Sequence, residues 1–187
     1  MIETTEEQLP KKIIIMGLDN SGKTSIMLSL KDDTNLLSYF SIRPTKGINI
    51  EEFKYDATSM VIWEFGGQKQ YREEYLKDEN YRNYFNEVEG IIYVIDIQDL
   101  ERYDIAFEYF EKLIDFLKKN DFKVDLWIYL HKCDPNLAKQ EKYKDIDKIV
   151  VSKLLNRIKE IVPNDFKCKF FKTTIYTIFE KFLLMEL

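Results

Sequence analysis

The residues with the clearest chemistry form one short stretch, in which an apolar run ends in the pattern G-x-x-x-x-G-K-[ST] at residues 17–24. Gly17 and Gly22 lack a Cβ atom, so the backbone can turn tightly and bring its N–H groups close to an anion. A helix that begins near Lys23 would add the positive end of its dipole. We expect Lys23 to contact the β- and γ-phosphates of a nucleoside triphosphate, and the Thr24 hydroxyl to bind Mg²⁺. A glycine turn with a surface lysine is the alternative, and the apolar strand before the loop argues against it.

Three further polar clusters follow apolar runs later in the chain, at residues 64–68, 131–134 and 173–176. A carboxylate such as Asp134 can accept hydrogen bonds from both the N1–H and the 2-amino group of guanine, and adenine does not offer this pattern. Asp134 therefore has the chemistry to select guanine. The family resemblance described below assigns it that role, with the aliphatic stem of Lys132 along the plane of the base. His131, the only histidine, would either donate to guanine N7 or brace the phosphate loop. A solvated imidazole is the alternative for this residue.

The elements that must position these clusters alternate between strands and helices. Nearly continuous apolar runs predict buried strands at 11–16, 60–65, 90–96, 124–130 and 166–173, and residues 48–55 alternate as in an edge strand. Helical spacing predicts helices at 23–31, 102–119, 145–162 and 175–187. A turn is predicted at 56–59, irregular chain at 31–45, and a polar, aromatic stretch covers 68–89. This order predicts an α/β fold, with a six-stranded, mostly parallel, doubly wound sheet covered by helices on both faces. Ligands bind at the carboxyl ends of such strands, so the four clusters should converge there.

Composition narrows the class of protein. The chain has 187 residues, and we expect a flexible acidic lead at 1–10 followed by a single domain at 11–187. The net charge of −5 argues against nucleic acid as a partner, since its binders carry a basic face. The sequence contains no apolar run near the roughly 20 residues of a membrane span, and its start does not resemble a signal peptide. Cys133 and Cys168 are isolated, which favours free thiols in the reducing cytoplasm.

In order and spacing, the four clusters resemble the motifs of the Ras-like small GTPases. Residues 17–24 and 44–51 resemble the Arf form, whereas residues 131–134, 171–175 and 68–96 are similar to the Rag (Gtr) branch. The resemblance implies a P-loop NTPase G domain that binds GTP or GDP with Mg²⁺ and acts as a molecular switch with slow GTP hydrolysis. We expect neither the further Rag dimerisation domain nor the lipidated Arf helix in this chain. We therefore expect no direct membrane anchor, and leave a homodimer or heterodimer open.

The resemblance also assigns roles to individual residues around the phosphates. Thr45 would join Thr24 on Mg²⁺ only while the γ-phosphate is present, which is the switch. The Gly67 N–H would bind the γ-phosphate, and Gln68 would be the catalytic residue that orients the attacking water. The residues of the loop that would surround the phosphates are Asp19, Asn20, Ser21, Gly22, Lys23, Thr24 and Ser25.

On the base side, the resemblance implies that the backbone N–H of Ile175 faces guanine O6 and that Thr174 shapes the loop. Together with His131, Lys132 and Asp134, these residues complete the predicted guanine site.

Two residues of the predicted phosphate and metal site, Glu64 and Asp19, are expected to slow GTP hydrolysis. Glu64 stands where the Asp-x-Gly-Gly-Gln motif has aspartate, and we expect it to approach the metal, through water in the usual arrangement. Its extra methylene brings the carboxylate about 1 Å closer, which the strict octahedral geometry of Mg²⁺ tolerates poorly. Asp19 would repel a γ-phosphate unless its carboxylate points away. Slow unassisted hydrolysis, accelerated by a partner, is the resulting prediction.

Regulators and effectors are expected to contact the segments 40–53 and 66–89. Aromatic residues crowd the second of these segments, either buried on an amphipathic helix or exposed as a partner surface. Their position beside Gln68 favours the surface; they are Tyr71, Tyr75, Tyr81, Tyr84 and Phe85. Two other functions stay open, namely a nucleotide-locked scaffold without useful hydrolysis, and a P-loop ATPase or nucleotide kinase, against which Asp134 argues.

Overall fold

The computed structural model describes residues 10–55 and 58–176. Its six strands are β1 (Lys11–Gly17), β2 (Ile48–Tyr55), β3 (Thr58–Phe65), β4 (Val88–Asp96), β5 (Asp125–His131) and β6 (Cys168–Lys172). They form one sheet in the order β2-β3-β1-β4-β5-β6. Strands β2 and β3 pair antiparallel and every other pair is parallel. The predicted six-stranded, mostly parallel sheet is confirmed.

The helices are α1 (Lys23–Ser29), α2 (Leu36–Phe40), α3 (Lys69–Tyr75), α4 (Tyr81–Phe85), α5 (Tyr103–Lys119), α6 (Ile146–Ile149) and α7 (Asn156–Ile161). A π-helical stretch, Val150–Leu155, joins α6 to α7, so the helix predicted at 145–162 is present with one widened section. Residues 173–176 are irregular, and the prediction of a helix from Ile175 is therefore wrong at its start. The rest of that helix, the acidic lead at 1–9 and turn positions 56–57 lie outside the described residues. Among the described residues, no helix combines the length and the hydrophobicity needed to cross a membrane.

The core lies on both faces of the sheet. Successive side chains of a strand point to opposite faces, so Ile14 and Met16 pack in one cluster with α5, while Ile13 and Ile15 pack in another with Met27 of α1. Burial on both faces explains why β1 is apolar at each of positions 13–16 and not at alternate ones. Each large apolar side chain buried in this way contributes about 1.5–3 kcal/mol. The sheet therefore gives the loops at its carboxyl edge a rigid base.

Helix α2 corrects the prediction of irregular chain at 31–45. Asn35 caps this helix, since its side-chain oxygen accepts hydrogen bonds from the N–H groups of Leu37 and Ser38 at 2.9 and 3.2 Å. Leu37 and Phe40 are 74% and 77% exposed. Because the apolar residues of α2 do not face the core, the sequence lacks the buried stripe by which helices are recognised.

The aromatic residues that follow Gln68 correct a second prediction. Tyr75 and Phe85 are buried, with ring centroids 4.5 and 6.0 Å from that of Phe65. Tyr71 and Tyr84 are partly buried and pack against the same cluster. The expected exposed aromatic surface is therefore wrong for these four residues, because the short helices α3 and α4 turn them inward to cover one face of the sheet. The side chain of Tyr81 lies outside the description.

Candidate functional site

The predicted phosphate loop lies between the end of β1 and the start of α1, at the carboxyl edge of the sheet. It borders a cavity of about 390 Å³, within the usual size range of small-molecule sites. The segment at 42–45 and the end of β3 form the other walls. The cavity brings together most of the residues predicted to contact phosphate, metal or the attacking water, namely Asp19, Asn20, Gly22, Lys23, Thr24, Ser25, Thr45, Glu64, Gly67 and Gln68.

Lys23 is the buried cation of this cavity and is only 4% exposed. Its Nζ donates to the carbonyl oxygens of Gly17 and Leu18 at 3.1 and 2.6 Å. Burial lowers the pKa of Lys23 to about 8, and the neighbouring carboxylates of Glu64 and Asp19 oppose that shift. A buried ammonium held only by carbonyl groups is poorly compensated, which favours an anion beside it.

Thr24, Thr45 and Glu64, the predicted metal residues, meet on one side of the cavity. The Thr24 hydroxyl donates to Glu64 Oε1 and lies 3.3 Å from the Thr45 hydroxyl. Glu64 is 1% exposed, and its Oε2 has no hydrogen-bond partner. A buried carboxylate oxygen without a partner, beside two hydroxyls, is a donor set that suits a hard cation such as Mg²⁺. Within residues 10–55 and 58–176 no group of three His, Cys, Asp or Glu residues could hold a metal, so the hydroxyls are needed.

The start of the 66–89 segment lies directly against the phosphate loop. A Cβ atom at Gly67 would be 2.1 Å from the backbone nitrogen of Asp19, so only glycine allows this approach. Gly66 donates its N–H to the carbonyl of Gly47 at 2.8 Å, and this contact joins the end of β3 to the segment that carries Thr45. Gln68 follows, half-buried at the cavity wall, and its role toward the attacking water stays a prediction.

Asp134, the predicted guanine selector, has a hydrogen bond on each carboxylate oxygen. Thr174 donates its hydroxyl to Oδ1 at 2.6 Å, and Gln98 donates its amide to Oδ2 at 2.7 Å. Lys132 ties this cluster to the phosphate loop, because its Nζ donates to the Asn20 carbonyl at 2.8 Å. The structure therefore connects the predicted base site and the predicted phosphate site through one side chain.

His131 packs against the phosphate loop. It is 3% exposed, and its Nδ1 lies 2.9 Å from the Thr173 hydroxyl. A Cβ atom at Gly22 would be only 2.6 Å from Nε2 of the ring. Burial, followed by the nearby charge of Lys132, lowers the pKa of His131, so the ring is neutral at physiological pH. The solvated imidazole is wrong, and of the two predicted roles this position matches bracing of the loop.

Ser21 and Ile175, which were predicted to contact the nucleotide, do not line the cavity. Ser21 is buried, and its hydroxyl has no hydrogen-bond partner. The side chain of Ile175 packs against the cluster of Ile13 and Ile15, and the role of its backbone N–H stays a prediction.

Sequence reasoning missed a further polar cluster at the carboxyl end of β4. Asp96 pairs with Lys132 at 2.7 Å, Gln98 holds Asp134, and Asp99 pairs with Arg102. The sequence does contain a sign of this cluster, since polar residues follow the apolar run of β4 as they follow the other apolar strands. Periodicity alone does not show which of them turn toward the site.

Comparisons with known proteins identify the family of the chain. The profile of the ADP-ribosylation factor family matches residues 2–177. ADP-ribosylation factor-like protein 2 of Arabidopsis thaliana is 40% identical over 94 residues, which are 50% of this chain and 45% of that protein. ADP-ribosylation factor-like protein 3 of Chlamydomonas reinhardtii is 38% identical over 91 residues, or 49% of this chain and 46% of that protein. The chain thus spans about half the length of these relatives.

A solved structure shares the fold. The Arl6 small GTPase of Trypanosoma brucei, determined with the nucleotide analogue GppNp, superposes with a TM-score of 0.60 at 20% sequence identity. The match covers 89% of this chain and 87% of that one. The fold is therefore that of the P-loop GTPases, and with the profile match over 2–177 the chain belongs to the ADP-ribosylation factor family of small GTPases.

Proposed function

We propose that this chain is a GTP-binding molecular switch of the Arf-like type, which hydrolyses GTP slowly to GDP and phosphate. The observation that carries the proposal is that the phosphate loop and the hydroxyl and carboxylate group at Thr24 border one cavity, and that Lys132, two residues before Asp134, donates a hydrogen bond to Asn20 of the same loop. A base held at Asp134 therefore places its phosphates toward Lys23. Guanine is selected because its N1–H and 2-amino group can both donate to the Asp134 carboxylate, a pattern that adenine does not supply.

Each part of the site then has a role in hydrolysis. Lys23 binds the β- and γ-phosphates, and its hydrogen bonds to the phosphate oxygens replace those to the carbonyl groups of Gly17 and Leu18. Thr24, Thr45 and Glu64 would hold Mg²⁺, which neutralises charge on the phosphate oxygens. Gln68 orients the attacking water, since phosphoryl transfer depends on positioning more than on covalent chemistry by the protein.

The switch connects the γ-phosphate to two surface segments. Thr45 and Gly67 line the cavity, and the Tyr75 hydroxyl donates to the Gly47 carbonyl at 2.7 Å, so the two segments are already coupled. Loss of the γ-phosphate removes the contacts that hold both segments in one arrangement. Regulators and effectors that contact 40–53 and 66–89 would read this change, in a signalling or trafficking role in the cytoplasm.

A finer assignment concerns subtype. The sequences at 131–134 and 171–175 are similar to Rag proteins, and we propose that these base-side features are Rag-like within an Arf-type domain. Dimerisation with a second G domain is part of this proposal. Size-exclusion chromatography with light scattering, in GDP and in a GTP analogue, tests it.

The deciding experiment identifies the nucleotide and then its turnover. We expect the purified chain to retain GDP or GTP, to release it faster when EDTA removes Mg²⁺, and to exclude ATP. Gln68→Leu is expected to slow phosphate release at least tenfold, whereas Gln70→Leu, on the exposed side of α3, should leave it unchanged. Competition by ATP at an affinity comparable to that of GTP would contradict the proposal and favour an ATPase or nucleotide kinase.

A nucleotide-locked scaffold is the second candidate, favoured by the direct contact between Glu64 and Thr24. Glutamate reaches the first metal-binding hydroxyl itself, where the shorter aspartate of the motif leaves room for water. Equal and very slow turnover by wild type and Gln68→Leu, with guanine nucleotide bound tightly to both, would establish the scaffold in place of the enzyme.

A further inference from the structure

Asp19 places a carboxylate within the phosphate loop itself, where it lines the cavity. Arg102, which stands immediately before α5, contacts it twice. Its Nη1 lies 3.2 Å from Asp19 Oδ1, and its Nη2 donates to the Asp19 carbonyl at 3.2 Å. Asp99 holds the guanidinium in turn, since Oδ2 accepts from Nε at 2.5 Å. The two residues in contact are separated by 83 positions in the sequence.

The contact between Asp19 and Arg102 changes the charge distribution beside the expected phosphate site. The charge of Asp19 raises the pKa of Lys23 and that of Arg102 lowers it, so both act on the cation that would bind the phosphates. A carboxylate turned toward a γ-phosphate would face a group of the same charge, and the solvent screens this repulsion only in part, since the Asp19 side chain is 46% exposed. GDP lacks this group and would be affected much less.

We propose that Arg102 is a positioning residue, which holds the Asp19 carboxylate away from the γ-phosphate and thereby sets the affinity of the site for GTP relative to GDP. The inference rests on the proposed function, because it needs a guanine nucleotide in this cavity. The guanidinium of Arg102 contacts Asp19 and Asp99, and its effect reaches the nucleotide through Asp19. A purely structural ion pair would affect GTP and GDP alike.

The test is the ratio of the Kd values for GDP and a non-hydrolysable GTP analogue, measured at fixed Mg²⁺ and low salt. Arg102→Gln keeps a polar side chain of similar length and removes the charge. We expect it to weaken binding of the GTP analogue about tenfold relative to GDP. Adding Asp19→Asn to this variant should restore the ratio to within about twofold of wild type. Arg157→Gln, which breaks a surface pair with Glu111, is the matched control and should leave the ratio unchanged.

Asp19→Asn alone provides a second measurement that does not depend on folding of the Arg102 variant. Because Arg102 already holds the carboxylate away, the single substitution should change the ratio by less than about twofold. A tenfold gain in affinity for the GTP analogue would overturn the inference, as would equal weakening of both nucleotides in Arg102→Gln, or no rescue in the double variant. A wild-type chain that binds neither nucleotide would instead overturn the proposed function, and the two failures are thus distinguishable.

Discussion

Lys23 is expected to make nucleotide affinity fall as the pH rises above 8. In the ligand-free protein its pKa is about 8, mainly because burial removes the ammonium from water. Phosphate groups beside the ammonium favour its charged form and raise the pKa in the complex. Between these two pKa values the free protein has lost a proton that the complex retains. Binding must then take up a proton, and its affinity decreases with rising pH.

The size of the effect follows from the ligand-free pKa. If the pKa in the complex lies well above 9, the Kd is proportional to 1 + 10^(pH − 8) over the range of interest. Relative to its value at pH 7, the Kd for GDP should be about twofold higher at pH 8 and about tenfold higher at pH 9. A titration at constant Mg²⁺ and ionic strength with a fluorescent GDP analogue measures this change. The range ends at pH 9, so that guanine keeps most of its N1 protons.

Lys23→Arg is the control, because a guanidinium stays charged throughout this range. Its absolute affinity will differ, since the larger group must fit the same loop, but its Kd should not follow the wild-type pH dependence. A flat wild-type Kd between pH 7 and 9 would refute the reasoning, and so would a parallel rise in the arginine variant.

The same group affects the stability of the ligand-free fold. Lys23 has an ordinary pKa of 10.5 when exposed and about 8 when folded, so below pH 8 the charged form costs about 3 kcal/mol. As the pH rises from 8 to 10.5 the unfolded chain binds the proton that the folded chain has released, and the free energy of unfolding should rise. Urea denaturation across this range, compared with Lys23→Arg, measures the contribution.

Two further predictions concern the base side and the loop. Gly22→Ala should lower the free energy of unfolding by about 3 kcal/mol, because φ is +96° and the new Cβ would meet the His131 ring. Gly47→Ala, at φ +66° with no atom within 4 Å of a Cβ, should cost only about 1–2 kcal/mol, and equal losses in urea denaturation would contradict the role of the ring. Gln98→Ala should weaken GDP binding about tenfold, since it removes a charge-assisted hydrogen bond that fixes Asp134. The loss for inosine diphosphate, which lacks the 2-amino group, should be smaller, and a rise in GDP affinity would show that the amide competes with the base.

The sequence by itself determined the sheet and the phosphate loop. Residues 13–16 of β1 are all apolar because both faces of the sheet are covered, and this continuous run is visible in the sequence alone. The loop is equally local, since its glycines, Lys23 and Thr24 lie within eight consecutive residues and are positioned by one strand and one helix. The alternation of strands and helices then fixed the edge at which the polar clusters meet.

Only the tertiary structure decided which polar groups contact one another. Asp19 meets Arg102 across 83 positions, and Gln98 meets Asp134 across 36. Such pairs depend on how neighbouring loops pack and on side-chain rotamers. The periodicity of apolar residues in the sequence contains no information about either. The burial of Tyr75 and Phe85 was undecided for the same reason, because α3 and α4 are too short for a sequence pattern to show which face turns inward. Local physics thus specified the framework, and long-range packing specified the charges and hydrogen bonds around the nucleotide cavity.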